Sequence, residues 1–285
     1  MAEVAAFARI NELGGDMKTT SSASTMWALG DYHRFATQLV WEFGPVLVEA
    51  CGISAGQRVL DVAAGTGNVA VRAAEAGADV VALDLTPENL EAGRRAALSR
   101  GIELEWVEGD AQALPFTDDE FDVVTSSAGA MFAPDHQAVA DEMLRVCRSG
   151  GTIGMINFVP EGTGGEFFEL LGRFAPPPPA GALPPILWGD QDHVRTLFGD
   201  GVASLDLIRR QYVETLSGSS RTGEDYVAFY KETFGPIIAI YSGLEPARRA
   251  EFDRDFLDFA TRRNQGTPEA AEYHYDYLLV LAKAR

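Results

Sequence analysis

Residues 58–70 read Arg-Val-Leu-Asp-Val-Ala-Ala-Gly-Thr-Gly-Asn-Val-Ala, and this stretch decides the fold. An apolar strand runs to Asp61, enters a tight turn of small residues and reopens as a helix. Gly65 and Gly67 lack the Cβ atoms that would hold a ligand away from the backbone. The helix beyond them presents unpaired N–H groups to whatever lies on the turn. An α/β sheet holds a nucleoside-like ligand in this way, at the carboxyl end of its first strand.

The same residues bear on which ligand. A dinucleotide fold uses G-x-G-x-x-G, its third glycine letting helix and strand pack closely. Here that register survives only as Gly65-x-Gly67-x-x-Ala70. Asp61, just before the turn, opposes a pyrophosphate and suits a ligand carrying an amino group and a sulfonium. The stretch resembles the first motif of class I S-adenosylmethionine-dependent methyltransferases, D/E-x-G-x-G-x-G, with Ala63 in place of the first glycine. The resemblance makes S-adenosylmethionine the expected cofactor, with a dinucleotide as the alternative.

Two further landmarks follow in order. Residues 80–84 form a second apolar strand ending in Asp84, 23 residues after Asp61. An acid near that distance bonds the ribose hydroxyls in such folds. Thr86 and Pro87 then start a helix as N-cap and first residue, and Gly101 closes it. Residues 104–111 read as a third strand running into a loop, and 121–126 as a fourth. In the methyltransferase family an acid in the loop after strand three accepts a hydrogen bond from the adenine amino group. The matching residue is Asp110, with the backbone of Ala111 beside it. The resemblance extends the expected cofactor contacts to Asp61, Ala63, Gly65, Thr66, Gly67, Leu85, Ser126 and Met131. It also places a lid tyrosine, Tyr32, near the cofactor's carboxylate end. Any one Asp at a strand end is more often a turn or cap residue; three in order beside a glycine turn carry the argument.

Residues 105–160 resemble the branch that holds the quinone-ring methyltransferases and many small-molecule methyltransferases. Residues 27–34, Trp-Ala-Leu-Gly-Asp-Tyr-His-Arg, and 131–136, Met-Phe-Ala-Pro-Asp-His, resemble an actinobacterial group of methyltransferase-like proteins. The likeness thus spans nearly the whole chain and implies a chemistry without a substrate.

Composition narrows the partners. The formal net charge is −19, from 42 acidic and 23 basic residues, with no basic stripe. Nucleic-acid affinity comes largely from neutralised phosphates, so no nucleic acid is expected as substrate. The exit from strand four agrees, since Thr125-Ser126-Ser127-Ala128-Gly129 is neither a D/N-P-P-Y motif nor a Pro-Cys pair. It also lacks the Asp or Asn with which catechol-type enzymes bind a metal, so no metal is expected. Apolar runs are too short to span a bilayer and the N-terminus lacks a signal-peptide pattern, which predicts a cytoplasmic protein without membrane insertion. Cys51 and Cys147 read as buried thiols in helical surroundings.

The 285 residues suit one α/β domain with an added module. The expected fold is a Rossmann-like seven-stranded, mostly parallel sheet with one antiparallel strand and helical cap insertions. Residues 1–50 read as an N-terminal arm, loose over 1–20, followed by lid helices. Residues 51–160 read as the cofactor-binding core. Residues 161–271 read as substrate cap helices with a sixth core strand at about 203–217, and 272–285 as the last core strand. Asp135 is expected to cap a helix from His136, which Ser149-Gly150-Gly151 ends before a fifth strand over 152–159. Prolines at 176–179 and 184–185 force an extended loop. A homodimer is left open.

Methyl transfer is an in-line displacement from a sulfonium and needs neither a covalent intermediate nor a metal. Positioning supplies roughly 7–11 kcal/mol of barrier lowering, and a general base about 10²–10⁴-fold. His33, in the lid, is the candidate base, while His136, His193 and His274 are expected to be structural. Trp188, Tyr226, Phe229, Tyr230 and Phe234 are expected chiefly as packing, with some lining the cap. The expected activity is transfer of a methyl group to a small, partly apolar acceptor. The alternatives are quinone or polyprenyl-ring C-methylation, a protein that binds S-adenosylmethionine without catalysis, and a nicotinamide-dependent oxidoreductase.

Overall fold

A computed structural model describes residues 17–216 and 221–285. Most of the arm expected over residues 1–20 lies outside them. Before the first strand come α1 (Met17–Trp27), α2 (Tyr32–Phe35), a π-helical turn (Ala36–Val40) and α3 (Phe43–Cys51). The sheet then takes β1 (Arg58–Val62), α4 (Ala70–Glu75), β2 (Asp79–Asp84), α5 (Pro87–Ser99), β3 (Glu105–Glu108), β4 (Phe121–Ser127), α6 (His136–Val146) and β5 (Cys147–Phe158). Helices α7 (Gly162–Gly172) and α8 (Gln191–Phe198) precede β6 (Val202–Glu214). Helices α9 (Gly223–Thr233), α10 (Gly235–Gly243) and α11 (Pro246–Arg263) separate it from β7 (Tyr273–Ala284).

The strands form one sheet in the order β3-β2-β1-β4-β5-β7-β6. Pairing is parallel from β3 to β5, and β7 runs antiparallel to both β5 and β6. This is the Rossmann-like sheet with one antiparallel strand that the motif order implies. β1, β2 and β4 are central and covered on both faces, which is why they read as apolar runs. One face packs Phe43, Leu47, Ala70 and Ala73 of α3 and α4 together with the cap aromatics. The other packs Val139, Met143, Val194 and Phe198 of α6 and α8.

Several local expectations are revised. Thr86 and Pro87 do open α5, but the Thr86 hydroxyl makes no capping bond. Cys147 begins β5 instead of ending a helix, and both thiols are buried. Ser149-Gly150-Gly151 does not precede the fifth strand but lies inside it. The β4–β5 register steps from Phe121 opposite Cys147 to Val123 opposite Thr152. A bulge absorbs the extra residues, and Gly150 takes the left-handed conformation there. Helix α8 packs against α6, where Gln137 Nε2 donates to the Leu197 carbonyl at 3.0 Å, so it belongs to the sheet's flank and not to the cap.

The N-terminal helices dock on the cap. A Cβ on Gly235 would lie 2.2 Å from the Met26 carbonyl oxygen, and one on Gly30 2.7 Å from that of Glu232. Arg34 pairs with Glu232 at 3.0 Å, and the Trp27 and Phe234 rings meet edge-on at 5.6 Å. Among the described residues no helix is long and apolar enough to cross a membrane.

Candidate active site

The turn between β1 and α4 is built from left-handed residues: φ is +53° at Ala63, +57° at Gly65 and +87° at Gly67. Glycine takes this conformation without strain; alanine does so at a cost. Each glycine also makes room for a ring. A Cβ on Gly65 would come 2.8 Å from Tyr32 Cε1, and one on Gly67 2.8 Å from the Trp106 ring. Tyr32 of α2 thus covers the turn. From below, Asn68 Nδ2 donates to the Val40 carbonyl at 2.9 Å and to Ser127 Oγ at 3.1 Å, and Gly44 is pressed against the Asn68 carbonyl.

Asp84 and Asp61 do different work. Asp84 accepts the Gly65 amide at 2.7 Å on one oxygen and the Thr86 amide at 2.9 Å on the other. A carboxylate oxygen has about two acceptor positions, so each keeps one for a ligand hydroxyl. Asp61 is fully buried, accepting from the Ala70 amide at 3.1 Å and the Thr125 hydroxyl at 2.9 Å. It braces the turn and α4 against β4. Burial, opposed by those two hydrogen bonds, pushes its carboxyl up to about 7, and the Asp84 charge adds to the rise. Burial also raises Asp84, against the hydrogen bonds from Thr86 and Gly65. The Tyr32 hydroxyl is pushed above its usual range by burial and by the charges of Asp84 and then Asp61.

The remaining expected contacts are less open. Asp110 accepts the Gln112 amide at 2.9 Å and the Gln112 side-chain amide at 3.1 Å, beside buried Ala111. The loop beyond it is held by Glu142, which accepts the Leu114 amide at 2.6 Å, and by Arg145, which donates to the Phe116 carbonyl at 2.8 Å. Leu85 is half-buried at the end of β2. Ser126 is buried, with Oγ accepting the Ala130 amide at 3.0 Å, and Met131 is fully buried. Thr66 is buried in the turn with a hydroxyl that has no partner. That orphaned hydroxyl and the spare acceptor positions of Asp84 fit a ligand bearing ribose hydroxyls and an amino acid moiety.

A methyltransferase-domain family model matches residues 59–151. A demethylmenaquinone methyltransferase from Renibacterium salmoninarum is 44% identical over 113 residues, covering 40% of this chain and 46% of that protein. An uncharacterised protein of Mycobacterium tuberculosis is 42% identical over 273 residues, covering 95% of this chain and 97% of its own. The chain belongs to the class I S-adenosylmethionine-dependent methyltransferases. A solved structure, the YcgJ protein from Bacillus subtilis, shares the fold with TM-score 0.58 at 18% identity, covering 85% of this chain and 97% of that one. The cofactor of this methyltransferase is S-adenosylmethionine.

In the methyltransferase, His33 lies half-buried on α2, and its buried Nδ1 has no partner to fix its tautomer. His136 is fully buried, with Nδ1 2.9 Å from His193 Nε2 and its ring 5.5 Å from that of Trp188. Burial, and then the neighbouring His193, bring His136 down to about 4.

One cluster escaped the sequence reading. Glu214, at the end of β6, is 2% exposed and accepts from the Tyr230 hydroxyl at 2.9 Å. The Tyr226 and Tyr275 hydroxyls lie 2.7 Å apart beside it. Burial, opposed by hydrogen bonds from Tyr230 and Tyr226, pushes Glu214 up to about 7. Tyrosines four apart on a helix and two apart on a strand were the available signal.

Proposed function

We propose that the protein transfers the methyl group of S-adenosylmethionine to a small, partly apolar acceptor by in-line displacement. The observation that carries this reading is the continuous aromatic roof over the glycine turn. Trp27 meets Tyr32 at 5.8 Å and Phe132 at 4.8 Å, while Phe35 stacks on Tyr32 at 5.8 Å and on Phe234 at 4.8 Å. Such a surface excludes water and favours an acceptor with an apolar body.

The bound cofactor supplies a methyl group activated by a positive sulfur. Asp84 would hold the ribose hydroxyls, Thr66 would lie beside the amino acid moiety, and Asp110 would face the adenine, with Tyr32 over the turn. The resulting alignment of two reactants accounts for most of the rate without a metal. A quinone-type ring is the second reading, favoured by the partial likeness to demethylmenaquinone methyltransferase.

The test is a labelled-methyl screen against phenols, quinones, amines and carboxylates, beside calorimetry with S-adenosylhomocysteine and NAD. S-adenosylhomocysteine binding together with label in one acceptor class supports the reading. S-adenosylhomocysteine binding without transfer to any class assigns a binding role alone, and preference for NAD overturns the reading.

A further inference from the structure

The sheet has two unlike edges. β3 closes one with four residues, Glu105–Glu108, and a strand that short gives a second chain little to pair with. β6 closes the other with thirteen, Val202–Glu214. Its inner side pairs with β7 in unbroken register from Ser204 to Glu214, the one irregularity lying at its start, between Val202 and Ser204. Among the described residues, the amides and carbonyls on the outer side of residues 204–212 have no backbone partner. A long, regular edge of this kind is a template for another strand.

Charged side chains ordinarily protect such an edge, so their arrangement on β6 decides the matter. Arg209 is already engaged, with Asp276 at 2.7 Å and Glu161 at 3.3 Å. Asp206 and Arg210 are both exposed, and among the described residues neither makes a hydrogen bond or an ion pair. They are opposite in sign and stand two residues to either side of Ile208. Side chains alternate along a strand, so all three share one face of the sheet. Ile208, between them, is 39% exposed.

We propose that β6 pairs antiparallel with β6 of a second copy of this chain, about a two-fold axis at Ile208, joining the two sheets into one. In that register Ile208 meets the partner's Ile208, Asp206 meets the partner's Arg210, and Arg210 meets the partner's Asp206. Pairing keeps like faces together, so the axis falls on a residue and not between two. Moving it to 207 or 209 sets Ile208 opposite a charge and leaves the ion pairs unmade. The same patch serves both copies, so the contact closes at two. Exposed ion pairs add little affinity of their own. Here they select the register, while main-chain hydrogen bonds and the covering of Ile208 hold the copies together.

The test is sedimentation equilibrium of the whole protein over a concentration series. The wild type forms a species of twice the chain mass that dissociates on dilution. Asp206→Arg, or Arg210→Asp, sets like charges opposite each other on both sides of the axis and weakens that species by ~10-fold or more. Mixing the two variants restores it, as does carrying both substitutions in one chain, because either arrangement again sets Arg against Asp. Both positions are exposed, so thermal melts of the variants match the wild type. Independently of any substitution, hydrogen exchange at the outward amides of residues 204–212 slows as protein concentration rises. A wild type that stays monomeric throughout the series overturns the proposal. So does a dimer indifferent to either substitution, or one that neither the mixture nor the double variant restores. Exchange over 204–212 that is equally slow at every concentration assigns the edge to a segment of the same chain and overturns it as well.

Discussion

The amide of Gly65, in the turn after β1, donates to Asp84 Oδ2, at the end of β2, over 2.7 Å. Two neighbouring parallel strands are thereby tied at their carboxyl ends by one carboxylate. The residue expected to hold the ribose also holds the turn that receives the rest of the cofactor.

Asp84→Asn should weaken both binding and the turn, because one of its two accepting oxygens becomes an amide nitrogen facing a backbone N–H. A lost hydrogen bond to a charged acceptor is worth about 1.5–3 kcal/mol, or about 10–150-fold in affinity. Calorimetry with S-adenosylhomocysteine, beside a thermal melt of the same sample, separates the two. An unchanged affinity in a folded variant removes Asp84 from the site.

Ala63 is left-handed at φ +53°, where the family motif has glycine. Ala63→Gly should relieve the strain and raise stability by ~0.5–1 kcal/mol after the extra freedom of the unfolded glycine is counted. A denaturant midpoint that falls instead would show that the alanine methyl packs more than it strains.

Stability should respond to pH with two opposite signs. Glu214 is raised from its ordinary 4.5 to about 7 in the folded protein, so the fold binds a proton that the unfolded chain releases. That contribution is present below about pH 4.5 and is lost as pH rises through about 7. The melting point of Glu214→Gln should therefore gain on the wild type between pH 5 and 8, by up to ~3 kcal/mol. Asp61 acts in the same direction. His136 is lowered from 6.5 to about 4, so protonation favours the unfolded chain and stability is lost as pH falls from about 6.5 towards 4. His136→Gln should lose that acid-side decline. Parallel melting curves for wild type and variant across either window would contradict the corresponding assignment.

Tyr32 covers Gly65, so cofactor binding should be felt across the lid. Hydrogen exchange over residues 21–40 should slow on addition of S-adenosylhomocysteine, and Tyr32→Ala should reduce both the protection and the affinity. Equal exchange with and without ligand would leave the N-terminal helices outside the binding event.

The parts of this architecture visible in the sequence are those set by short stretches of chain. The glycine turn, Asp84 and the central strands announce themselves because β1, β2 and β4 are covered on both faces and each ends where its apolar run ends. The fifth strand was placed late because Ser149-Gly150-Gly151 has the composition of a break, and a bulge within a ladder has the same composition. Asp61 and Asp84 look alike in sequence, each closing a strand. Only packing shows that Asp61 faces Ala70 and Thr125 with no exposed surface, while Asp84 faces the amides of Gly65 and Thr86. Glu214 was invisible for another reason: the tyrosines around it lie at 226, 230, 273 and 275, and only the packing of α9 beside the β6–β7 pair gathers them.

The docking of the N-terminal helices on α9 and α10 couples two distant parts of the chain. Met26 meets Gly235, Gly30 meets Glu232, and Arg34 pairs with Glu232, so the segment that covers the glycine turn is seated on α9 and α10. Displacing Tyr32 from Gly65 disturbs that packing. Opening of the turn at Gly65 is therefore tied to the packing of α9 and α10, so a substitution at Gly235 or Glu232, far along the chain, should be felt at the turn.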